Sequence, residues 1–201
     1  SDVTFSTAQL LALSAAQIGV LSSTESAALT TTAIAAFSST QIRSLSATNL
    51  SAFDATQASA LTTTQVAGLT TTQIGGLSTT DIGELSAAQI GALTTTQLAR
   101  LSSDGVAALD ATQVAGLSTT QIRGLTTTQL SGLDAGDIAE FSTTQVANLT
   151  TTQIRGFNTT SINAFADTQV AALTTSELLA LASTALSAFD ATQVAALSTT
   201  Q

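Results

Sequence analysis

A leucine or phenylalanine recurs at every eighth residue of this chain, from position 5 to position 197. The spacing has no exception among its 25 sites, and all seven Phe residues lie on it. A register this strict over the full length indicates a tandem-repeat architecture, in which each unit touches mainly its near neighbours. The octad reads most cleanly between Leu61 and Gly76, as LTTTQVAG followed by LTTTQIGG.

Within one octad, numbered from its Leu or Phe, positions two and five carry the signature of a helix start. Position two is Ser, Thr, Asp or Asn in 23 of 25 octads, with Ala166 and Ala182 as the exceptions. These short side chains accept hydrogen bonds from the free amides at a helix N-terminus. Position five is Gln in 16 octads, and its side chain can reach back to the cap residue's amide, which completes a capping box. Position six is nearly always Ile, Val or Leu and pairs with position one as a hydrophobic staple.

The pattern predicts an all-α repeat solenoid in which each octad starts one very short, N-capped helix. Positions three to eight supply about one and a half turns at ~3.6 residues per turn, and the chain then bends at the next Leu or Phe. A continuous helix is excluded because each repeat would rotate the apolar sites by about 80°. A β-solenoid is the alternative, since octads can build coils and Thr favours strands, although the apolar sites do not alternate as strands require.

We expect residues 1–201 to form a single continuous solenoid of 25 repeats, because no linker, charge run or change of composition interrupts the octads. The chain enters within one octad and stops within another, at residues 198–201, with no evident polar capping unit. This predicts part of a longer repeat tract, or a filament subunit whose ends meet the next subunit. The Phe sites fall on no fixed multiple of octads, so no longer period is predicted.

The composition argues against several classes of function. The chain has no His, Cys or Lys, and its four Arg stand against 13 acidic residues, which gives a net charge of −9. That balance disfavours nucleic acid and anionic membranes as partners, and no stretch approaches the ~20 apolar residues of a membrane-spanning helix. Ser and Thr lack a neighbouring His or Lys as catalytic base. We therefore expect no enzyme, no catalytic residues and no cofactor.

Two groups of carboxylates are the remaining candidates for chemistry: Asp81 with Glu84, and Asp134 with Asp137 and Glu140. As acid/base pairs or Ca²⁺ ligands they would require convergence from other segments. The simpler interpretation makes Asp134 a helix cap, Asp137 a capping-box residue and Glu140 a solvated side chain. We predict that they form no metal site.

The surface candidates are the Thr rows at positions three and four, the Arg residues and three glycosylation sequons. A stacked Thr array could bind ice or carry O-linked sugars, but Thr beside a cap also simply occupies a first helical turn. The sequons, at Asn49, Asn148 and Asn158, arise by chance in a chain this rich in Ser and Thr. We expect the Arg side chains to be isolated solvated charges. They are Arg43, Arg100, Arg123 and Arg155.

The consensus repeat, LSTTQIAAL or LTTTQIAGL, resembles the Thr/Gln-rich octad tracts of very large bacterial surface and secreted proteins, often described as adhesin-like. The resemblance covers essentially the whole chain. It implies an extracellular or cell-surface location, a structural or adhesive role and a bacterial source, and it brings no catalytic or binding residues. We expect a structural rod or filament that self-associates. The alternative is a binding module whose Thr-rich face engages ice, glycan or a protein.

Overall fold

The computed structural model describes residues 5–201, in which 24 short α-helices follow one another and no strand occurs. One helix starts in each octad between the first Phe and the octad of Phe189, and each helix is four to six residues long. The predicted solenoid of very short helices is confirmed, and the β-solenoid alternative is wrong for the described residues.

Contacts divide the chain into two compact units, Ser1–Leu101 and Ser102–Gln201. The helices of the first unit are α1 Thr7–Ala12, α2 Ala15–Gly19, α3 Ser23–Ala27, α4 Thr31–Ala36, α5 Ser39–Ser44, α6 Ala47–Ser51, α7 Ala55–Ala60, α8 Thr63–Gly68, α9 Thr71–Gly75, α10 Thr79–Gly83, α11 Ala87–Gly91 and α12 Thr95–Leu98. The helices of the second unit are α13 Ser103–Ala107, α14 Ala111–Ala115, α15 Thr119–Gly124, α16 Thr127–Ser131, α17 Ala135–Ala139, α18 Thr143–Val146, α19 Thr151–Gly156, α20 Thr159–Asn163, α21 Asp167–Ala172, α22 Thr175–Ala180, α23 Ser183–Leu186 and α24 Ala191–Ala196. That residues 1–201 form one continuous solenoid stays a prediction.

Helix α8 shows how the octad starts and stops a helix. The Thr62 hydroxyl accepts the Gln65 amide at 3.2 Å, and Gln65 Oε1 accepts the Thr62 amide at 2.7 Å. This reciprocal capping box satisfies two of the amides that a helix start leaves free. The helix ends at Gly68, and the backbone of the next residue, Leu69, is extended at φ −59° and ψ 147°, so that the chain turns towards the next cap.

The two octads without a capping side chain form helices as well. Ala166 is the N-cap of α21, and only the Gln169 half of the box is made, with the Ala166 amide 2.9 Å from Gln169 Oε1. Ala182 is the N-cap of α23 and has no side-chain cap bond. Because a lost cap costs only about 1 kcal/mol, packing against neighbouring turns is enough to hold these helices.

Within each unit, position five of one octad binds position one of the third octad before it. The bonds that join successive turns connect residues 28 apart, such as Gln65 with Phe37 and Gln153 with Leu125. Each helix accordingly packs mainly against the helix three places along the chain, as α5 does against α8 in the first unit and α16 against α19 in the second. The number of octads per turn is a tertiary property that the eight-residue spacing does not reveal.

Positions one and six fill the core of each unit. Ile42 and Ile154 are fully buried at position six, and the rings of Phe157 and Phe165 meet edge to face with centroids 5.5 Å apart. Each buried aliphatic side chain contributes about 1.5–3 kcal/mol before entropy is subtracted. Ser26 is a polar exception at position six. It is fully buried, and its hydroxyl has no hydrogen-bond partner.

Glycine at position eight lets neighbouring turns approach closely. A Cβ added to Gly76 would lie 2.6 Å from the Ala47 Cβ, and one added to Gly156 would lie 3.0 Å from the Thr127 Cβ. Both partners stand at position three of the neighbouring turn. No glycine in the described part of the chain has positive φ, so close packing and not backbone conformation requires glycine here.

Candidate functional site

The glutamine at position five joins each turn of the coil to the turn before it. Gln65 Nε2 donates to the carbonyl oxygens of Phe37 and Ile34, both at 2.7 Å. These oxygens lie where helix α4 ends, so the side chain that opens one helix also binds the end of another. Gln65 is only 3% exposed, and hydrogen bonds between buried polar groups are costly to lose.

The same bridge recurs in both units. In the second unit, Gln153 Nε2 donates to the carbonyls of Leu125 and Ile122, both at 2.8 Å. A bond to the carbonyl 28 residues earlier is also made by Gln41, Gln57, Gln73, Gln89, Gln97, Gln145, Gln169, Gln193 and Gln201. We call this set, together with Gln65 and Gln153, the glutamine bridges.

Sequence reasoning missed this second role of glutamine, although a signal for it was present. A capping box accepts Glu as readily as Gln, yet position five holds 16 Gln and only two Glu, Glu25 and Glu177. A box needs only an acceptor oxygen, whereas a bridge also needs an amide donor. The excess of Gln over Glu therefore pointed to a donor requirement beyond the box.

At Asp81 the bridge is absent and a small cavity takes its place. The shorter Asp81 side chain accepts the Ser78 amide at 2.7 Å and the Ser51 hydroxyl at 2.5 Å. Beside it lies a cavity of about 20 Å³, lined among others by Leu50 and Phe53. These two residues stand in the octads before Asp81 where a bridging glutamine would find its acceptor carbonyls. The cavity thus occupies the place of a bridging amide and is large enough for one water molecule.

Asp137 repeats this arrangement in the second unit. It lies seven octads after Asp81 in the sequence. Its Oδ2 accepts the Asp134 amide at 2.8 Å, and Asp134 Oδ1 accepts the Asp137 amide at 3.0 Å. A cavity of about 10 Å³ is lined among others by Val106 and Leu109, which hold the equivalent acceptor positions. The predicted roles of Asp134 as cap and Asp137 as box residue are confirmed. The absence of a longer period, predicted from the Phe sites, stays a prediction.

Glu84 lines the first cavity from position eight of its octad. Burial raises the pKa of the Glu84 carboxyl above its usual value, and the negative charges of Asp81 and Asp54 raise it further. The three carboxylates belong to two adjacent turns of the first unit. Both effects favour the protonated form of Glu84, because the charged carboxylate would lose solvation and would be repelled by the neighbouring negative charges.

Glu140 lines the second cavity in the same way, and its position corrects one prediction. Its Oε2 atom is buried and has no hydrogen-bond partner, so Glu140 is half-buried and not a solvated side chain. Burial raises the pKa of the Glu140 carboxyl, and the charges of Asp137, Asp110 and Asp134 add to the effect. The sequence did not show this because the cavity depends on the preceding turn of the coil.

Across residues 5–201, no three His, Cys, Asp or Glu side chains are placed to hold a metal ion. The candidate carboxylates are instead engaged in capping boxes or directed into the two cavities. Within the same part of the chain, no helix is both long enough and apolar enough to cross a membrane.

The remaining surface candidates are the Thr rows, the Arg residues and the glycosylation sequons. Thr63 and Thr64, for example, are exposed at positions three and four, and all four Arg side chains are exposed. Asn49 is 5% exposed and donates to the Leu21 carbonyl at 2.6 Å, which makes this sequon inaccessible in the folded chain. Asn158 is exposed, but its side chain caps α20 by accepting the Ser161 amide at 2.9 Å.

Comparison with protein families gives four overlapping matches to a family model described as the ALTTAQ repeat. The matched residues are 66–103, 88–119, 106–143 and 138–175, which together span more than half of the chain. The six letters of that description coincide with position eight and positions one to five of the octad, as in Ala92–Gln97. A comparison with curated proteins finds no match.

Proposed function

We propose that this chain, which belongs to the ALTTAQ repeat family, is a structural protein that acts as an extracellular rod or filament. The observation that carries the proposal is the set of glutamine bridges. In most octads, position two caps a helix and positions one and six fill the core, and in many of them position five binds the preceding turn. The recurrent side chains are thus occupied in building the coil.

The charge distribution fits a structural role in which copies lie close together. Only 8% of the residues are charged, so most of the surface through which two copies could meet carries no charge. The extracellular location and the bacterial source rest on the resemblance of the repeats to surface and secreted octad tracts.

A second candidate function is a binding module that uses the Thr rows. The observation that favours it is the exposure of Thr at positions three and four in many octads, such as Thr151 and Thr152. A regular array of hydroxyl and methyl groups is suited to ice or glycan. The same residues also suit a first helical turn beside a cap, so the structural role is the stronger candidate.

The experiment is electron microscopy of the purified chain, with small-angle X-ray scattering and far-UV circular dichroism on the same sample. We expect a helical spectrum together with elongated particles or filaments. Compact, rounded particles would refute the structural proposal. Ice-recrystallisation and glycan-array assays on the same sample test the alternative, and binding that disappears when exposed Thr residues are replaced by Val or Ser would favour it.

A further inference from the structure

We propose that the joint between helices α14 and α17 in the second unit is a hinge, at which one turn separates locally from the next, and that a proton on Glu140 closes it. The joint between α7 and α10 in the first unit has the same parts, with Glu84 in place of Glu140. Every residue that lines the second cavity lies seven octads after a residue that lines the first. Each hinge lies within one unit and would operate in a rod or in a binding module alike.

These two joints are the most loosely packed ones of their units. In every other pair of described helices three places apart within a unit, the helices approach closely, as α13 does with α16 and α18 with α21. The pair α7 and α10 and the pair α14 and α17 are packed less closely. Elements with few packing contacts open locally with the lowest free energy. Packing therefore marks one place in each unit where opening is easiest.

In the second unit, the position-five side chain of α17 does not bind the preceding turn. Asp137 Oδ2 accepts the Asp134 amide at 2.8 Å at the start of its own helix, and the cavity lies where a glutamine amide would cross. In the first unit, Asp81 accepts the Ser51 hydroxyl at 2.5 Å in addition to its own cap amide. Ala107 stands seven octads after Ser51 and has no hydroxyl. The joint between α14 and α17 therefore lacks a hydrogen bond that its equivalent in the first unit has.

Glu140 differs from the other carboxylates of this joint because its buried oxygen accepts no hydrogen bond. Asp134 Oδ1 accepts the Asp137 amide at 3.0 Å, and Asp110 Oδ1 accepts the Gln113 amide at 2.8 Å. Glu140 Oε2 is buried without a partner. A buried charge without a partner is costly, so an ionised Glu140 gains solvation when the joint opens. A protonated Glu140 has no such gain.

The charges that act on Glu140 are negative. Helices α13 to α18 surround the cavity and α20 packs against α17, and apart from α17 and its cap their ionisable residues are Asp104, Asp110 and Arg123. Asp104 and Arg123 are exposed. Burial raises the pKa of Glu140, and the three aspartates of the joint raise it further. Protonation therefore favours the closed joint in acid, and this preference is lost as the pH rises through the pKa of Glu140 in the closed joint.

Hydrogen–deuterium exchange of the full chain tests the hinge, with protection factors corrected for the intrinsic exchange rate at each pH. The Ile138 and Phe141 amides bond to the carbonyls of Asp134 and Ile138. We expect their protection to fall several-fold between about pH 4.5 and about pH 7. The reference is α19, which the Gln153 bridge joins to the preceding turn. The Ile154 amide of α19 should keep its protection over the same range.

Two variants separate the proton from the packing. Glu140→Gln keeps the size of the side chain and removes its titration, so the α17 amides should have the same protection at both pH values. Ala107→Ser places a hydroxyl 30 residues before Asp137, the spacing of the bond between Ser51 and Asp81. It should raise the protection of α17 several-fold at about pH 7. The matched control is Ala115→Ser, at position seven of the next octad. Its counterpart 30 residues later is a glutamine, and it should leave α17 unchanged.

Circular dichroism at each pH verifies that the variants are folded. Equal protection of α17 at both pH values would overturn the proposal. So would an equal loss of protection in α17 and α19, because that indicates unfolding of the whole unit. A Glu140→Gln variant that loses protection as the wild type does would refute the role of Glu140. In the first unit, the Ile82 amide of α10 should change in the same direction but by less, because the Ser51 hydroxyl still binds Asp81.

Discussion

Gln153 and Asp137 occupy the same position of the octad in the second unit, but they connect the turns differently. Both complete a capping box, Gln153 with the Thr150 amide at 2.8 Å and Asp137 with the Asp134 amide at 2.8 Å. Only Gln153 also reaches the preceding turn, through its bonds to Leu125 and Ile122. At Asp137 the corresponding space is a cavity.

The difference separates two functions of one side chain. Starting a helix requires an acceptor atom near the cap amide, and Asp, Glu and Gln all provide it. Joining two turns requires in addition an amide donor, which even the shorter Asn49 provides when it donates to the Leu21 carbonyl. Octads with Asp or Glu at position five therefore keep their helices and lack the amide bridge, although Asp81 still accepts the Ser51 hydroxyl of the preceding turn.

The largest effect is expected from Gln153→Ala. The variant loses the box acceptor and both bridge bonds, and leaves the carbonyls of Ile122 and Leu125 buried without this donor. We expect a loss of about 2–4 kcal/mol in the free energy of unfolding, measured by urea denaturation. Gln17→Ala is the control, because exposed Gln17 makes only the box, and it should cost no more than ~1 kcal/mol. Equal losses in the two variants would show that the bridge contributes nothing.

A gain is expected from Glu177→Gln. Glu177 is 3% exposed and accepts the Thr174 amide, but its carboxylate lacks the amide donor of a bridge. Gln is nearly the same size and could donate to the Leu149 carbonyl in the preceding turn, for a gain of about 1–2 kcal/mol in the same denaturation experiment. The matched control Glu25→Gln, at an exposed position five, should leave the stability of the monomer nearly unchanged. If Glu177→Gln is neutral or destabilising, an amide donor is not what position five requires.

A smaller loss of stability is expected when only the N-cap of a helix is removed. The Ser118 hydroxyl accepts the Gln121 amide at 3.3 Å, and Ser118→Ala should cost about 1 kcal/mol. Thr120 lies in the same helix and is exposed, so Thr120→Ala should be neutral or slightly stabilising because Ala is the better helix former. The same loss is expected for Ser78→Ala and Ser142→Ala. Thermal unfolding followed by circular dichroism measures all four variants, and no loss at any of the three caps would contradict the capping role.

The smallest effect is the pH dependence that the acidic cavity introduces. Burial and the charges of Asp137, Asp110 and Asp134 raise the pKa of Glu140 above its ordinary 4.5, so the folded chain binds this proton more tightly than the unfolded chain. Its stabilising contribution is complete below the unfolded pKa and is lost as the pH rises through the folded pKa. In the wild type, the free energy of unfolding should decrease as the pH rises above about 4.5. Glu140→Gln should make this decrease smaller. Urea denaturation at several pH values measures the difference.

Asp190 offers a control of opposite sign for that measurement. Hydrogen bonds from the Thr192 hydroxyl and the Gln193 amide lower the pKa of Asp190 below 3.8. Its contribution is present above the unfolded pKa and is lost as the pH falls through the folded pKa. Asp190→Asn should therefore change the free energy of unfolding in the acidic range alone. A Glu140→Gln variant with the same pH profile as the wild type would refute the effect of the cavity.

Most of the local structure could be predicted from the sequence, because caps, boxes and staples act within a single octad and its flanking residue. Ser118 and Gln121 specify their own helix without reference to the rest of the chain. The glutamine bridges were missed because their partners lie in another turn, at a spacing that is not a multiple of the octad. Glu140 was misassigned for the same reason, since its burial depends on a turn that the octad alone does not place.

The sequence by itself determined where each helix starts, which residues are apolar, and that the chain is a tandem repeat of N-capped turns. Those properties follow from hydrogen bonds and periodicity within one octad. The tertiary structure decided that each helix packs against the helix three octads away, and hence which carbonyls Gln65 and Gln153 reach. It also decided why Gly76 must be small, and where Asp81 and Asp137 leave cavities. These depend on how far one turn lies from the next, a distance set by the packing of side chains far apart in the chain.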